Sequence, residues 1–209
     1  MTKYEYGNAD AKTVLIQMVD DHDLAEIETE FNEIKKRVKA DFLLVAVKVD
    51  DWNKDLSPWP APAVFGNEGF GNGAESTLSH VLELCQDKSR QYCIGGYSLA
   101  GLFALWAAYQ TDVFSGAAAA SPSAWFPGFT QYMSEHDIKC GAVYLSLGNR
   151  EAKTRNAVMA QVADRITQCQ EILIDKGIPC TLEWNEGNHF KEPGLRTAKA
   201  FAWVMNKIK

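Results

Sequence analysis

Along the chain, short runs of consecutive apolar residues alternate with longer stretches in which apolar residues recur every three or four positions. The runs are Thr13–Val19 (TVLIQMV), residues 42–49 (FLLVAVKV), residues 92–96, Phe114–Ala120, residues 142–147 and Cys180–Asn185. Short runs with little polar alternation suit strands buried on both faces. In the first gap, Leu24, Ile27, Phe31, Ile34 and Val38 fall on one helical face, behind Asp23 and Glu26 spaced as an N-cap and its capping partner. Helical patterns also cover residues 76–85, 99–109, 156–175 and 195–208, the last with Leu195, Ala198, Phe201, Met205 and Ile208 on one face. Strands alternating with helices of this length predict an α/β fold, with a mostly parallel sheet of about six to seven strands covered by helices on both faces. No internal repeat, low-complexity tract or linker interrupts the pattern, so residues 1–209 are expected to form a single domain.

One segment falls outside this rhythm. Residues 50–75 (DDWNKDLSPWPAPAVFGNEGFGNGAE) hold three prolines and four glycines, yet also two tryptophans and two phenylalanines. Loops of that length in a compact domain are functional or disordered. Disordered loops are poor in aromatic residues, so an ordered, pocket-lining segment is expected here. The alternative is a loop packed over a sheet edge for stability alone.

Candidate chemistry is sharpest in residues 91–105, QYCIGGYSLAGLFAL. A buried strand ends at Gly95-Gly96, Ser98 follows, and an apolar helix begins at once. A nucleophile elbow demands this context, with the serine on a strained turn and small residues two positions to either side. Gly96 and Ala100 meet that demand, and Gly101 permits close helix–strand packing. The helix N-terminus favours developing negative charge, so the Leu99 amide is the expected first oxyanion donor. The competing reading is Ser98 as a plain N-cap.

Of the four histidines, His22 precedes the first helix, His80 falls within one and His136 sits in a polar stretch. His189, in EGNHF after the last strand, is the candidate general base. The acid should lie between serine and histidine in the chain, at the end of the preceding strand. Glu151 occupies that position, with Asp164 and Glu186 as competitors and Arg150 and Lys153 as rival partners. A second oxyanion donor is expected from the backbone of Asp20 or Asp21, where the first strand turns. Two aspartates beside an oxyanion are unfavourable unless their side chains turn away, and they could instead meet a cationic group on the substrate.

Composition narrows the partners. Lys plus Arg number 21 against 27 Asp plus Glu, a formal net charge of −6. That sign disfavours nucleic-acid and membrane-surface binding. No apolar signal-peptide core opens the sequence and no run reaches membrane-spanning length, so a cytoplasmic protein is expected. The five cysteines are scattered without a C-x-x-C pair, which suggests idle thiols in a reducing compartment and neither a disulfide framework nor a metal site. No cofactor is expected, and nothing in the pattern speaks to oligomeric state.

With these residues in place, the chain resembles the esterase branch of the α/β-hydrolase superfamily, which includes S-formylglutathione hydrolases, feruloyl and siderophore esterases and mycolyltransferases. The resemblance runs from Thr13 to the C-terminus and rests on GGYSLAG around Ser98, ASPSAWF at residues 120–126, YLSLGNRE ending at Glu151, and GNHF around His189. It implies Ser98 as nucleophile, Glu151 as acid and His189 as base, with Ser123 and Trp125 near an acyl pocket. Two departures stand out. Ala100 replaces the usual glycine, and Asp20-Asp21 replaces a His-Gly type turn. The chain is also short at its N-terminus, which implies loss of early strands. The expected activity is hydrolysis of a small-molecule carboxylic ester, with Trp52, Trp59, Phe65, Phe70 and Trp125 walling the pocket. An acyltransferase on the same triad and a non-catalytic binding protein of this fold are the alternatives.

Overall fold

A computed structural model describes residues 1–208. Its strands are β1 (Thr2–Gly7), β2 (Thr13–Val19), β3 (Phe42–Lys48), β4 (Gln91–Tyr97), β5 (Phe114–Ala120), β6 (Val143–Gly148) and β7 (Cys180–Asn185). The helices are α1 (Asp21–Arg37), α2 (Trp52–Asp55), α3 (Ala74–Glu83), α4 (Ser98–Gln110), α5 (Phe129–Glu135), α6 (Val162–Asp175) and α7 (Pro193–Lys207). The strands form one seven-stranded sheet in the order β1-β3-β2-β4-β5-β6-β7, parallel throughout except for the antiparallel pair of β1 with β3.

Alternation along each strand feeds two cores. Val14, Ile16 and Met18 of β2 face the layer built by α3, α4, α5 and α6. Leu15 and Val19 face the layer of α1 and α7, where they meet Ile27, Ile34, Ala198 and Phe201. Helix α4 is buried nearly all round, which explains its uniformly apolar sequence.

The expected strands and long helices are present, with shifted ends. α1 starts three residues earlier than the pattern suggested: Asp20, not Asp23, is the N-cap, its Oδ1 accepting from the Asp23 amide at 2.8 Å. Asp23 is the partner in that capping box, displacing Glu26. The N-terminal edge is not bare either, because β1 covers β3. Its sequence, TKYEYG, is almost wholly exposed, so it lacks the apolar run that betrays a buried strand. Helices α2 and α5, of four and seven residues, are too short to leave a periodic signature.

Topology positions the site. β2 lies between β3 and β4, so the chain leaves β2 in one direction and returns on its other side as β4. The loops after these two strands therefore diverge and open a crevice at the carboxyl edge of the sheet. Asp20 leaves one side of it and Ser98 the other.

Candidate active site

Ser98 stands where β4 passes into α4, with its backbone in the left-handed region at φ 56°. The turn is too tight for side chains around it. A Cβ on Gly96 would lie 2.6 Å from the Ala100 Cβ and 2.9 Å from its carbonyl carbon. The Ala100 methyl thus fills the space that Gly96 leaves, and alanine in place of the usual glycine is accommodated. The Leu99 amide lies in the first turn of α4, where no intrahelical acceptor is available to it.

Two side chains from separate loops complete a chain of contacts to Ser98. His189, in the loop after β7, places Nε2 at 3.0 Å from Ser98 Oγ. Its Nδ1 lies 2.7 Å from Oε2 of Glu151, which follows β6. Of the acids weighed from the sequence, Glu151 is the one at His189; Asp164 is carried by α6, and Glu186 lies 3.4 Å from Lys191. The second Glu151 oxygen accepts from the Gly148 amide at 2.6 Å, Ser121 Oγ at 2.9 Å and Arg196 Nη1 at 2.8 Å. Burial alone would raise its pKa, but the hydrogen bond and charge of His189, with Gly148 and Ser121, outweigh it and hold the carboxyl below its ordinary value.

No family model matches the chain, and no curated protein matches it either. Solved structures do. The siderophore hydrolase EstA from Aspergillus nidulans superposes with a TM-score of 0.66 at 21% identity, over 96% of this chain and 85% of that one. An IroE-like serine hydrolase from Shewanella oneidensis gives 0.70 at 16% identity, over 92% and 70%. The capsule O-acetyltransferase of Neisseria meningitidis serogroup A gives 0.58 at 10% identity, over 98% and 91%. This chain has the α/β-hydrolase fold.

Within that fold, two cavities meet at Ser98 and His189. One, of about 370 Å³, is apolar and lined by Phe65, Pro122, Trp125, Met159 and Val162. The other, of about 260 Å³, is bounded by Asp20, His22, Asp23, Trp52 and Tyr97. Phe190, 86% exposed, borders both. The aromatic loop is divided in its roles: Trp52 and Phe65 line cavities, whereas Trp59 and Phe70 do not. Trp59 packs on Phe126 and Tyr132 and donates its Nε1–H to the Pro127 carbonyl at 2.9 Å, so the expectation that it walls the pocket is corrected. Ser123 is buried, with Oγ 3.5 Å from Ser98 Oγ and its amide bonded to the Ser98 carbonyl. Trp125 lies in the apolar cavity.

The two aspartates part company. Asp20 borders the cavity at Ser98. Asp21 turns to the surface and pairs with Lys48 at 2.5 Å. Asp23, by contrast, faces inward, and burial together with the Asp20 charge pushes its pKa up to about 6. Among the described residues no group of three or more His, Cys, Asp or Glu side chains converges to hold a metal ion, and all five cysteines are free thiols.

Three contributors had no role assigned from the sequence, although Tyr97 and Ser121 lie within the GGYSLAG and ASPSAWF blocks. Arg196, 2% exposed, reaches from α7 to Glu151, to Tyr97 Oη at 3.1 Å and to the carbonyls of Glu186 and Asn188 at 3.2 and 3.0 Å. Tyr97 donates in turn to the His189 carbonyl at 2.7 Å. Ser121 holds the Glu151 carboxylate from a backbone at φ 41°. An arginine one place after Leu195 reads in sequence as a solvent-facing helix residue, and only its burial marks it out.

Proposed function

We propose that the protein is a serine hydrolase that cleaves a small-molecule carboxylic ester through an acyl-enzyme. The observation that carries this reading is the unbroken path from Ser98 Oγ to His189 at 3.0 Å and on to Glu151 at 2.7 Å, with Ser98 held in a left-handed turn.

Ser98 Oγ attacks the ester carbonyl as His189 Nε2 takes its proton. The Leu99 amide and the Asp21 amide serve as oxyanion donors, because the Asp20 amide is taken by Asp23 Oδ2 at 3.5 Å. Collapse breaks the ester C–O bond, and the imidazolium returns the proton to the departing alcohol. A water then attacks the acyl-serine with His189 as base, releasing the acid and restoring Ser98. Glu151 orients the ring and stabilises its charged form. Its own low proton affinity keeps it ionised while it does so.

Labelling with a fluorophosphonate probe, located by mass spectrometry beside an aryl-ester assay, tests the reading. Adduct at Ser98, lost in His189→Ala, and a fall of about 10⁴-fold or more in kcat for Ser98→Ala are expected. A folded protein that takes no label, or unchanged turnover in Ser98→Ala, would overturn it.

The O-acetyltransferase among the structural neighbours supports a second reading, acyl transfer to an alcohol or thiol on the same triad. Product partition between water and added acceptors separates the two. A non-catalytic binding role is disfavoured by the contact distances among Ser98, His189 and Glu151. A cytoplasmic location accords with the five free thiols, and no helix among the described residues is long and apolar enough to cross a membrane.

A further inference from the structure

The two cavities at Ser98 differ in kind. The apolar one takes a hydrocarbon or aryl group. The other carries Asp20 and Asp23 on its wall, and no lysine or arginine lines it. Beyond it, and sharing His22, Asp23 and Tyr97 as walls, lies a recess of about 20 Å³, room for one water-sized group. Gln17, Glu26 and Glu30 line that recess.

Its polar atoms are incompletely paired. Gln17 and Glu30 are 2% and 5% exposed, and the amide of one donates to the carboxyl of the other at 3.4 Å. Among the described residues, Gln17 Oε1 and Glu30 Oε1 have no hydrogen-bond partner. Gln17 Oε1 is an acceptor, and Glu30 Oε1 becomes one when its carboxyl ionises; buried and unpaired, such atoms are costly. A small donor group satisfies both oxygens, and beside carboxylates a primary ammonium adds charge attraction that a neutral donor of the same size lacks.

Charge points the same way. Asp20, Asp23, Glu26 and Glu30 face this side of the site; Asp20 and Asp23 accept from each other's backbone amides in the α1 cap, and no ion pair engages any of the four among the described residues. The groups able to oppose them are His22, His189, the N-terminus of α1 that Asp20 and Asp23 cap, and the first turn of α7, where Pro193 and Gly194 line the recess. Each helix N-terminus supplies about half a positive charge, and the two together do not balance Asp20, Asp23 and Glu26. Burial holds Glu30 well above the ordinary carboxylate range, and the Asp20 charge adds to the burial of Asp23. A cation among them would favour their ionised forms. Trp52 adds an aromatic ring to the same wall, a surface over which an alkylammonium can lie.

We propose that this acidic side of the site, from Asp20 and Asp23 to the recess of Gln17 and Glu30, binds a primary ammonium on the substrate. The substrate is then an ester with an apolar arm in the Trp125 cavity and an amine-bearing arm in the Asp23 cavity. The assignment of arms rests on the hydrolase reading; the cation site itself does not. Anionic esters are excluded by the same charges.

Four phenylacetate esters test it, made with 5-aminopentanol, its trimethylammonium analogue, hexanol and 6-hydroxyhexanoic acid. Expected kcat/KM falls in that order, the aminopentyl ester exceeding the hexyl ester by about tenfold. Asp23→Asn and Glu30→Gln each bring the aminopentyl-to-hexyl ratio toward one. A ratio at or below one, or one that neither variant moves, overturns the proposal while leaving the hydrolase reading intact. Equal rates for the two cationic esters overturn the recess as the ammonium site, since the methylated cation has no N–H to offer. Calorimetry of pentylammonium against pentanol with Ser98→Ala protein reads the cation site without turnover. Binding that Asp23→Asn weakens supports the site even if Ser98 proves unreactive, and no preference for the cation overturns it.

Discussion

At the scale of single residues, the backbone of Ser98 pays the main local penalty of the site. A non-glycine residue in the left-handed region costs about 1–2 kcal/mol, and here the strain aims Oγ out of the sheet toward His189. Removing the hydroxyl alone leaves that strain in place, whereas removing Cβ relieves it. Ser98→Gly should therefore melt about 2–4 °C above Ser98→Ala for a chain of this length, both being inactive. Equal melting temperatures would place the strain elsewhere. The elbow was legible in GGYSLAG because its demands are local: a small residue at 96, another at 100 and a strand-to-helix boundary. Trp59 was misread for the opposite reason. A tryptophan in an irregular loop carries no signal for which side of the loop it will pack on, and this one joins Phe126 and Tyr132.

At the scale of elements, α7 does more than close the sheet. Through Arg196 it ties together the Glu151 turn, the end of β4 at Tyr97 and the loop that carries His189. Removing one member of a buried ion pair costs about 3–5 kcal/mol because the other charge is stranded. Arg196→Met should lose stability on that scale and lower kcat, while Arg196→Lys, which keeps the charge and loses the fork, should recover part of both. The acid limb gives a further sign. Glu151 is depressed in the folded state, so its contribution is fully present above the unfolded carboxylate value and is lost as pH falls through the lower folded one. Without the arginine, proton binding to Glu151 becomes easier, and thermal melts should show the loss of stability beginning at higher pH in Arg196→Met. An unchanged acid limb would mean that His189, Gly148 and Ser121 suffice to hold the carboxylate. None of this was readable from the helical period of α7, because an arginine beside an apolar stripe looks the same whether it meets solvent or a buried acid.

Over the whole molecule, the order β1-β3-β2-β4 places the active crevice between the ends of β2 and β4, and the sign of the surface acts on what enters it. The net charge of −6 adds to Asp20 and Asp23 at the mouth. Screening lengths fall from about 30 Å at 0.01 M salt to about 3 Å at 1 M. Across that range kcat/KM for the aminopentyl ester should fall, that for the carboxypentyl ester should rise and that for the hexyl ester should change least. Parallel salt responses for all three would show that charge plays no part in selecting the substrate.

The sequence alone determined the class of fold and the turn that presents the serine, because both depend on short-range order: uninterrupted apolar runs, helical periods and small residues at fixed offsets from Ser98. It also narrowed the partners of Ser98 to a glycine-flanked histidine and the acid after the preceding strand, since chain order follows sheet order at β6 and β7. Tertiary structure decided the rest. The edge strand β1 buries too little to announce itself, and the N-cap of α1 fell to Asp20 over Asp23 through backbone geometry. The ion pair of Arg196 with Glu151 joins residues 45 positions apart. The unpaired side-chain oxygens of Gln17 and Glu30 are buried only because β2, α1 and the start of α7 close around them. Contacts of that kind depend on how layers stack, and no local pattern encodes them.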